Sequence, residues 1–186
     1  SAPIGYFHSD IPAYNKVWHA GVWTAQLASI PNNHAWEKVC GYILPRYIET
    51  ADPIGFIEDV DSRCYHFSFT ARISLNPSHT SSMGFAVDVT GKSEGLVGKL
   101  SLGGTLELFR VRGAERVSVF RNDTLPLKIV DNTDYRMDIS VKNTLVQVQL
   151  NGIHIAAYKD SRMSGGSVGF YSEKEMWYAV KDISLD

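Results

Sequence analysis

Apolar and polar residues alternate along most of this chain, and turn-forming residues interrupt the alternation at short intervals. Tyr65, Phe67, Phe69, Ala71, Ile73 and Leu75 occupy one parity, while His66, Ser68, Thr70, Arg72 and Ser74 occupy the other. Side chains on a strand point alternately to its two faces, so this stretch predicts one buried and one polar face. Asn76-Pro77-Ser78 ends it, because proline cannot extend a ladder. Met83, Phe85, Val87 and Val89 repeat the pattern, and shorter strands are expected at Leu96–Leu102, Leu106–Val111 and Arg116–Arg121. Gly103-Gly104 predicts a two-residue turn. Tyr135, Met137, Ile139 and Val141 alternate with Arg136, Asp138 and Ser140; Lys142-Asn143 then turns the chain. Val146, Val148 and Leu150 alternate with Gln147 and Gln149. Asn151-Gly152 is a strong hairpin signal, since both residues must accept positive φ. Ile153–Tyr158, Ser167–Ser172 and Trp177–Leu185 complete the series.

So many short strands, with almost no helical periodicity, predict an all-β fold: a two-sheet antiparallel β-sandwich of the jelly-roll type. No linker, repeat or low-complexity tract divides residues 1–186, which are expected to form a single domain. The first sixty or so residues are less regular; Val17–Ile30 fits a strand or a short helix, ended by Pro31-Asn32-Asn33. A composition of 44% hydrophobic and 20% charged residues suits a chain that builds its own core. The formal net charge of -2, with Lys and Arg scattered singly, gives no reason to expect nucleic acid as a partner. No apolar run reaches the roughly 18 residues that span a bilayer, so membrane insertion is not expected. Cys40 and Cys64 could pair or could be buried thiols, and their spacing does not choose. Asn122-Asp123-Thr124 is a glycosylation sequon of the kind exported proteins carry.

From residue 65 onward the order of elements resembles the concanavalin A-like, laminin-G-like jelly-roll superfamily. The resemblance rests on Met83–Val89, then Gly103–Arg110, then Asp134-Tyr135-Arg136-Met137 leading into Val146–Leu150 and Asn151-Gly152. Tyr158-Lys159-Asp160, Gly165–Tyr171 and Ala179–Leu185 follow in the same order. It implies a sandwich fold and a choice of functions: carbohydrate-binding modules, lectin-like domains, laminin-type interaction modules, glycosidases and polysaccharide lyases. The resemblance also implies a structural calcium, held by a carboxylate just before the Asp182-Ile183 pair. Lys181 stands there instead, so that ligand does not carry over; Asp182 and Asp10 could donate oxygens but read better as surface charges, and no cofactor or metal is expected, with a structural calcium as the alternative.

A sugar offers hydroxyls at its edge and C–H groups on its face, so a site needs hydrogen-bonding side chains and flat rings on a rigid surface. The polar rows supply Arg72, Arg136, Asp138, Gln147 and Gln149, beside His66. The ring candidates are Trp36 in the loop Asn32–Trp36, Tyr171, and Trp177, whose neighbour Tyr178 should face the opposite way. Solvated faces of a sheet have the same polar composition, so the rows alone do not make a site. Retaining and inverting glycosidases hold paired carboxylates about 5–5.5 Å or roughly 6.5–9.5 Å apart. Glu58-Asp59-Val60-Asp61 lacks the Glu-x-Asp-x-x-Glu spacing of laminarinase-type enzymes, although scattered carboxylates such as Glu107 and Asp138 leave a cleaving enzyme open. The 6 histidines and 2 cysteines show no zinc spacing, and no G-x-S-x-G is present. The expectation is a non-catalytic carbohydrate-binding or lectin-like module for an oligo- or polysaccharide, secreted or at the cell surface, within a larger glycan-active chain. A glycosidase or lyase of the same fold, and a laminin-G-like protein-interaction domain, are the alternatives.

Overall fold

The computed structural model describes residues 36–45, 53–60, 63–74, 81–91 and 93–186. The expectations for Val17–Ile30 and for the first 35 residues of the single domain lie outside the described residues. Among these the chain forms strands only: β1 (Trp36–Val39), β2 (Tyr42–Pro45), β3 (Ile54–Glu58), β4 (Cys64–Ile73), β5 (Ser82–Gly91), β6 (Glu94–Ser101) and β7 (Leu106–Arg112). They continue with β8 (Glu115–Asn122), β9 (Asp134–Lys142), β10 (Leu145–Leu150), β11 (Ile153–Lys159), β12 (Ser167–Tyr171) and β13 (Tyr178–Leu185). One sheet has seven strands in the order β1-β2-β13-β4-β9-β10-β11, the other six in the order β3-β12-β5-β6-β7-β8. Every pairing is antiparallel. This is the expected two-sheet jelly-roll sandwich.

Alternation places the core where the sequence put it. Tyr65, Phe67, Phe69, Ala71 and Ile73 of β4 and Tyr135, Met137, Ile139 and Val141 of β9 are buried from one sheet. Met83, Phe85 and Val87 of β5, Leu106 and Leu108 of β7 and Phe170 of β12 are buried from the other. Phe170 joins the two layers, with its ring centroid 4.9 Å from Phe69 at 88° and 5.7 Å from Phe67. Edge-to-face rings gain electrostatic attraction beyond the area they bury. Phe85 packs across β6 onto Gly98, its cross-strand partner, where an added Cβ would collide with the ring.

Local details differ from the expectations at two turns, at two strand starts and at the cysteines. Between β6 and β7 Ser101 N donates to Thr105 O and so closes a three-residue loop, Leu102-Gly103-Gly104, in which Gly104 has φ 79 and its N–H donates to Ser101 O. That is a turn followed by a left-handed residue, which a three-residue hairpin requires. β9 and β10 are joined by Asn143-Thr144, not Lys142-Asn143, because the residue that accepts positive φ (56°) must be the first of the loop. β13 begins at Tyr178, one residue later than expected, and Trp36 opens a strand and is no loop residue. Cys40 sits at φ 49 beside Gly41 at φ 81 in the β1–β2 turn, and both cysteines are exposed thiols, which overturns the buried alternative.

One end of the sandwich holds an ion network. Asp88 takes a left-handed φ of 53° at a bulge in β5, where the register with β6 shifts. Its carboxylate accepts from Arg110 Nη1 at 2.7 Å and from Ser164 N at 2.9 Å. Arg110 Nε donates to Asp160 Oδ2 at 2.8 Å, and Arg162 Nε to Asp160 Oδ1 at 2.9 Å. The two carboxylates are only 2% and 3% exposed. Burial alone would push the Asp160 carboxyl up, but hydrogen bonds from Arg162 and Arg110 and the Arg110 charge outweigh it and hold it far below the ordinary range.

Arg110→Met would leave two buried carboxylates without their shared cation, and is expected to lower unfolding free energy by about 3–5 kcal/mol at neutral pH. The Asp160 contribution is present above the unfolded carboxyl pKa of about 4 and is lost as pH falls below it, so the deficit of the variant should shrink in acid. Urea denaturation at several pH values reads both. Gly98→Ala should cost about 1–3 kcal/mol in the same measurement, through overpacking against Phe85.

Candidate functional site

The polar residues expected to bind sugar divide between two surfaces. Arg72 on β4, Arg136 and Asp138 on β9, and Gln147 and Gln149 on β10 face outward from the seven-stranded sheet, because their neighbours of opposite parity fill the core. Register brings four of them together: Asp138 lies opposite Ser68 and Gln149, Ser140 opposite Gln147, and Arg136 opposite Thr70. Arg72 pairs instead with Asp134.

The charges on this face are tied to one another. Arg72 Nε is 2.6 Å and Lys181 Nζ 2.7 Å from the two oxygens of Asp134. Both cations sit over the Tyr42 ring, at 5.2 and 4.8 Å from its centroid. The hydrogen bond from Arg72 is the largest of the effects that hold the Asp134 carboxyl below its usual range, ahead of the opposing burial. Arg136 donates to Ser68 Oγ at 2.5 Å and to Asp182 O at 3.1 Å. Asp138 Oδ1 lies 3.5 Å from Arg136 Nε and 3.2 Å from His66 Nε2. Trp177 is 42% exposed, and its backbone is pinned by Ser74 N, which donates to its carbonyl, and by Ser81 Oγ. Of Trp36 the structure fixes the strand position only.

Tyr171 belongs to the other surface, the outer face of the six-stranded sheet. There Lys99 of β6, Glu107 and Phe109 of β7, Arg116 of β8 and Tyr171 of β12 gather around Glu173, which follows β12. Leu106 and Leu108 point inward, so Glu107 and Phe109 point outward by parity. Phe109 is nevertheless 0% exposed. The Tyr171 ring meets it edge-on at 5.4 Å, and the Arg116 guanidinium carbon lies 3.7 Å above its centroid. Glu173 ties the cluster together. Its Oε1 accepts from Arg116 Nη1 at 2.6 Å and from the Tyr171 hydroxyl at 2.7 Å; its Oε2 accepts from Lys99 Nζ at 2.8 Å. Arg116 Nη2 reaches Glu107 Oε2 at 3.4 Å. Burial would raise the Glu173 carboxyl, but hydrogen bonds from Lys99 and Tyr171 and the two positive charges outweigh it and hold it below its usual range. Gly84 makes room for the arrangement, since a Cβ there would lie 2.6 Å from Tyr171 O and 3.1 Å from its ring.

Lys99, Phe109, Arg116 and Glu173 were missed by the sequence reading. Glu173 reads as one charge in the loop Ser172–Glu175, and nothing local says that it folds back over a sheet. Parity within β7 does carry a signal: an outward phenylalanine flanked by an outward glutamate on a strand whose other side is leucine.

Asp59 accepts a short hydrogen bond from Ser167 Oγ, while Asp61 lies outside the described residues. Glu107 and Asp138 face outward from different sheets and cannot flank one glycosidic bond. Glu107 and Glu173 share Arg116, but Glu173 is held low, opposite to what a general acid needs. Of the oxygen donors named for calcium, Asp182 uses its carbonyl for Arg136, and Asp10 lies outside the described residues. Among the described residues no three His, Cys, Asp or Glu side chains gather as a metal site, and no helix is long and apolar enough to cross a membrane.

No protein-family model matches the chain, and no curated protein matches it. Solved structures do. The carbohydrate-binding module CBM66 from Bacillus subtilis superposes with a TM-score of 0.65 at 12% identity, over 83% of this chain and 92% of that one. Sheep galectin-11, solved in complex with glycerol, gives 0.54 at 10% identity, over 72% and 94%. Caenorhabditis elegans galectin LEC-6 gives 0.52 at 11% identity, over 81% and 99%. The chain has a lectin-like β-sandwich fold. At these identities the likeness is one of fold, and function has to be argued from the side chains.

Glu173→Gln removes the anion that both cations share. It should lower stability by about 1 kcal/mol at pH 7, discounted for partial exposure. Because the carboxyl is depressed in the fold, its contribution is present above pH ~4.3 and disappears as pH falls through the folded value. Wild type and variant should therefore converge in acid when their thermal unfolding is compared.

Proposed function

We propose that the chain is a non-catalytic carbohydrate-binding module that holds a glycan against the Lys99–Glu107–Arg116–Tyr171–Glu173 cluster. The observation that carries this reading is the convergence of both charge signs over buried rings. A sugar hydroxyl both donates and accepts, so it pairs best with fixed donors and acceptors side by side. Here each charged group is held by a neighbour, yet keeps unused hydrogen-bonding capacity: two further Lys99 protons and further lone pairs on Glu107 and Glu173. The cluster draws on three adjacent strands, on β12 and on the segment after it, so ordering it at binding costs little entropy. The row on the seven-stranded sheet has comparable polar groups, and its Tyr42 ring lies under Arg72 and Lys181 as Phe109 lies under Arg116; the six-stranded face is favoured because Glu173 gathers Lys99, Arg116 and Tyr171 from three strands at one point. The likeness of fold to a carbohydrate-binding module and to galectins supports the same reading. Membership of the concanavalin-like, laminin-G-like superfamily, a secreted or cell-surface location and a place within a larger glycan-active protein go with it.

Binding to a glycan array, followed by calorimetry on the best ligand, tests the proposal. Lys99→Ala and Glu107→Gln should each weaken binding about tenfold or more, since a charged hydrogen bond to ligand contributes roughly 1.5–3 kcal/mol. Arg136→Ala and Gln149→Ala should leave affinity unchanged, and so should EDTA. Loss of binding in the second pair with retention in the first would move the site to the seven-stranded sheet. An array without any retained glycan would remove the reading.

A further inference from the structure

We infer that the site prefers a glycoside whose sugar carries a flat π-system next to it, such as an aryl glycoside, and that the outer face of the Arg116 guanidinium receives that flat group. The inference rests on the glycan-binding reading and deepens it. A guanidinium has two faces and a rim of N–H donors. In Arg116 one face is taken: its carbon lies 3.7 Å from the Phe109 centroid, the separation of stacked planes. Much of the rim is taken as well, by Glu173 Oε1 at 2.6 Å from Nη1 and Glu107 Oε2 at 3.4 Å from Nη2. Phe109 is 0% exposed while the Arg116 side chain is 36% exposed, so Arg116 lies outside Phe109 and the guanidinium face turned away from the ring is the outer one.

That remaining surface is poor at hydrogen bonding and good at stacking. Guanidinium N–H bonds lie in the plane, so the faces are weakly hydrated and pack onto aromatic rings. Two carboxylates at the rim lock the plane, which keeps the platform from rotating away. Glu107 and Glu173 balance Arg116 and Lys99 in formal charge, so the cluster gives a charged ligand no net advantage. Hydroxyls of the sugar then meet Lys99 and the carboxylates, while a planar substituent lies over Arg116. A ring stacked on a bare aromatic would instead have needed Phe109 uncovered.

The test compares methyl and p-nitrophenyl glycosides of galactose, glucose and mannose by calorimetry on the intact chain. For the sugar that binds, the p-nitrophenyl form should bind about two- to fivefold more tightly than the methyl form. Arg116→Lys, which keeps the charge but not the plane, should bring the ratio of the two affinities to one, whatever it does to the absolute affinity of either form. Arg116→Gln serves as a second variant if the lysine form is unstable. Equal affinity of the two forms in wild type overturns the inference and leaves the glycan-binding reading standing. A ratio that survives Arg116→Lys also overturns it. Failure of every methyl and p-nitrophenyl glycoside to bind overturns the inference, while the glycan array decides the reading on its own.

Discussion

The two layers of this protein are held in one relation by aromatic side chains that cross the gap between them. Phe170 from the six-stranded sheet meets Phe67 and Phe69 from the seven-stranded sheet. Tyr178 crosses in the other direction: its hydroxyl lies 2.8 Å from Gly84 O and 2.7 Å from Tyr171 O, and its single proton can serve either. Burial pushes this phenol well above its ordinary range, so it remains a donor. The consequence reaches the surface. Tyr178 fixes the backbone at Gly84 and Tyr171, and Tyr171 in turn presents its hydroxyl to Glu173. Core packing and site geometry are therefore one structure read from its two sides.

The outer faces then differ in what they offer. Both carry ion pairs, and exposed pairs contribute little to stability. On the seven-stranded sheet Asp134 and Asp138 each draw in two cationic or imidazole partners, and the row forms a polar covering of the strands. On the six-stranded sheet Glu173 draws Lys99, Arg116 and Tyr171 from three strands onto two buried rings. The charged groups there are held in place before any ligand arrives, which reduces the entropy lost on binding. The Asp88–Arg110–Asp160 network has another task. It pins the segment around Ser164, ahead of β12, to the end of β5 and β7.

The strands were legible because period-two alternation is a local property. β9, β10 and the Asn151-Gly152 turn could be drawn from residues 134–158 alone, since each strand pairs with the next. Which sheet a strand joins is not local. Arg136 and Tyr171 both read as outward residues, yet they face away from opposite layers, and no parity argument distinguishes them. The same gap hid Glu173, whose partners Lys99 and Arg116 lie 74 and 57 residues away in the chain. Asp88 was hidden for a different reason: a left-handed bulge turns a residue of outward parity into a buried carboxylate. Reading sites on sandwiches therefore requires strand order before side-chain chemistry.

The central claim is that the ligand meets the outer face of the six-stranded sheet. Mapping backbone amide shifts by NMR during titration with a bound oligosaccharide addresses it directly. The account predicts that the perturbed amides cluster in β6, β7 and β8 near Lys99, Glu107 and Arg116, and in residues 171–173. Perturbations gathered instead along β4, β9 and β10, around Arg72, Asp138 and Gln149, would contradict it.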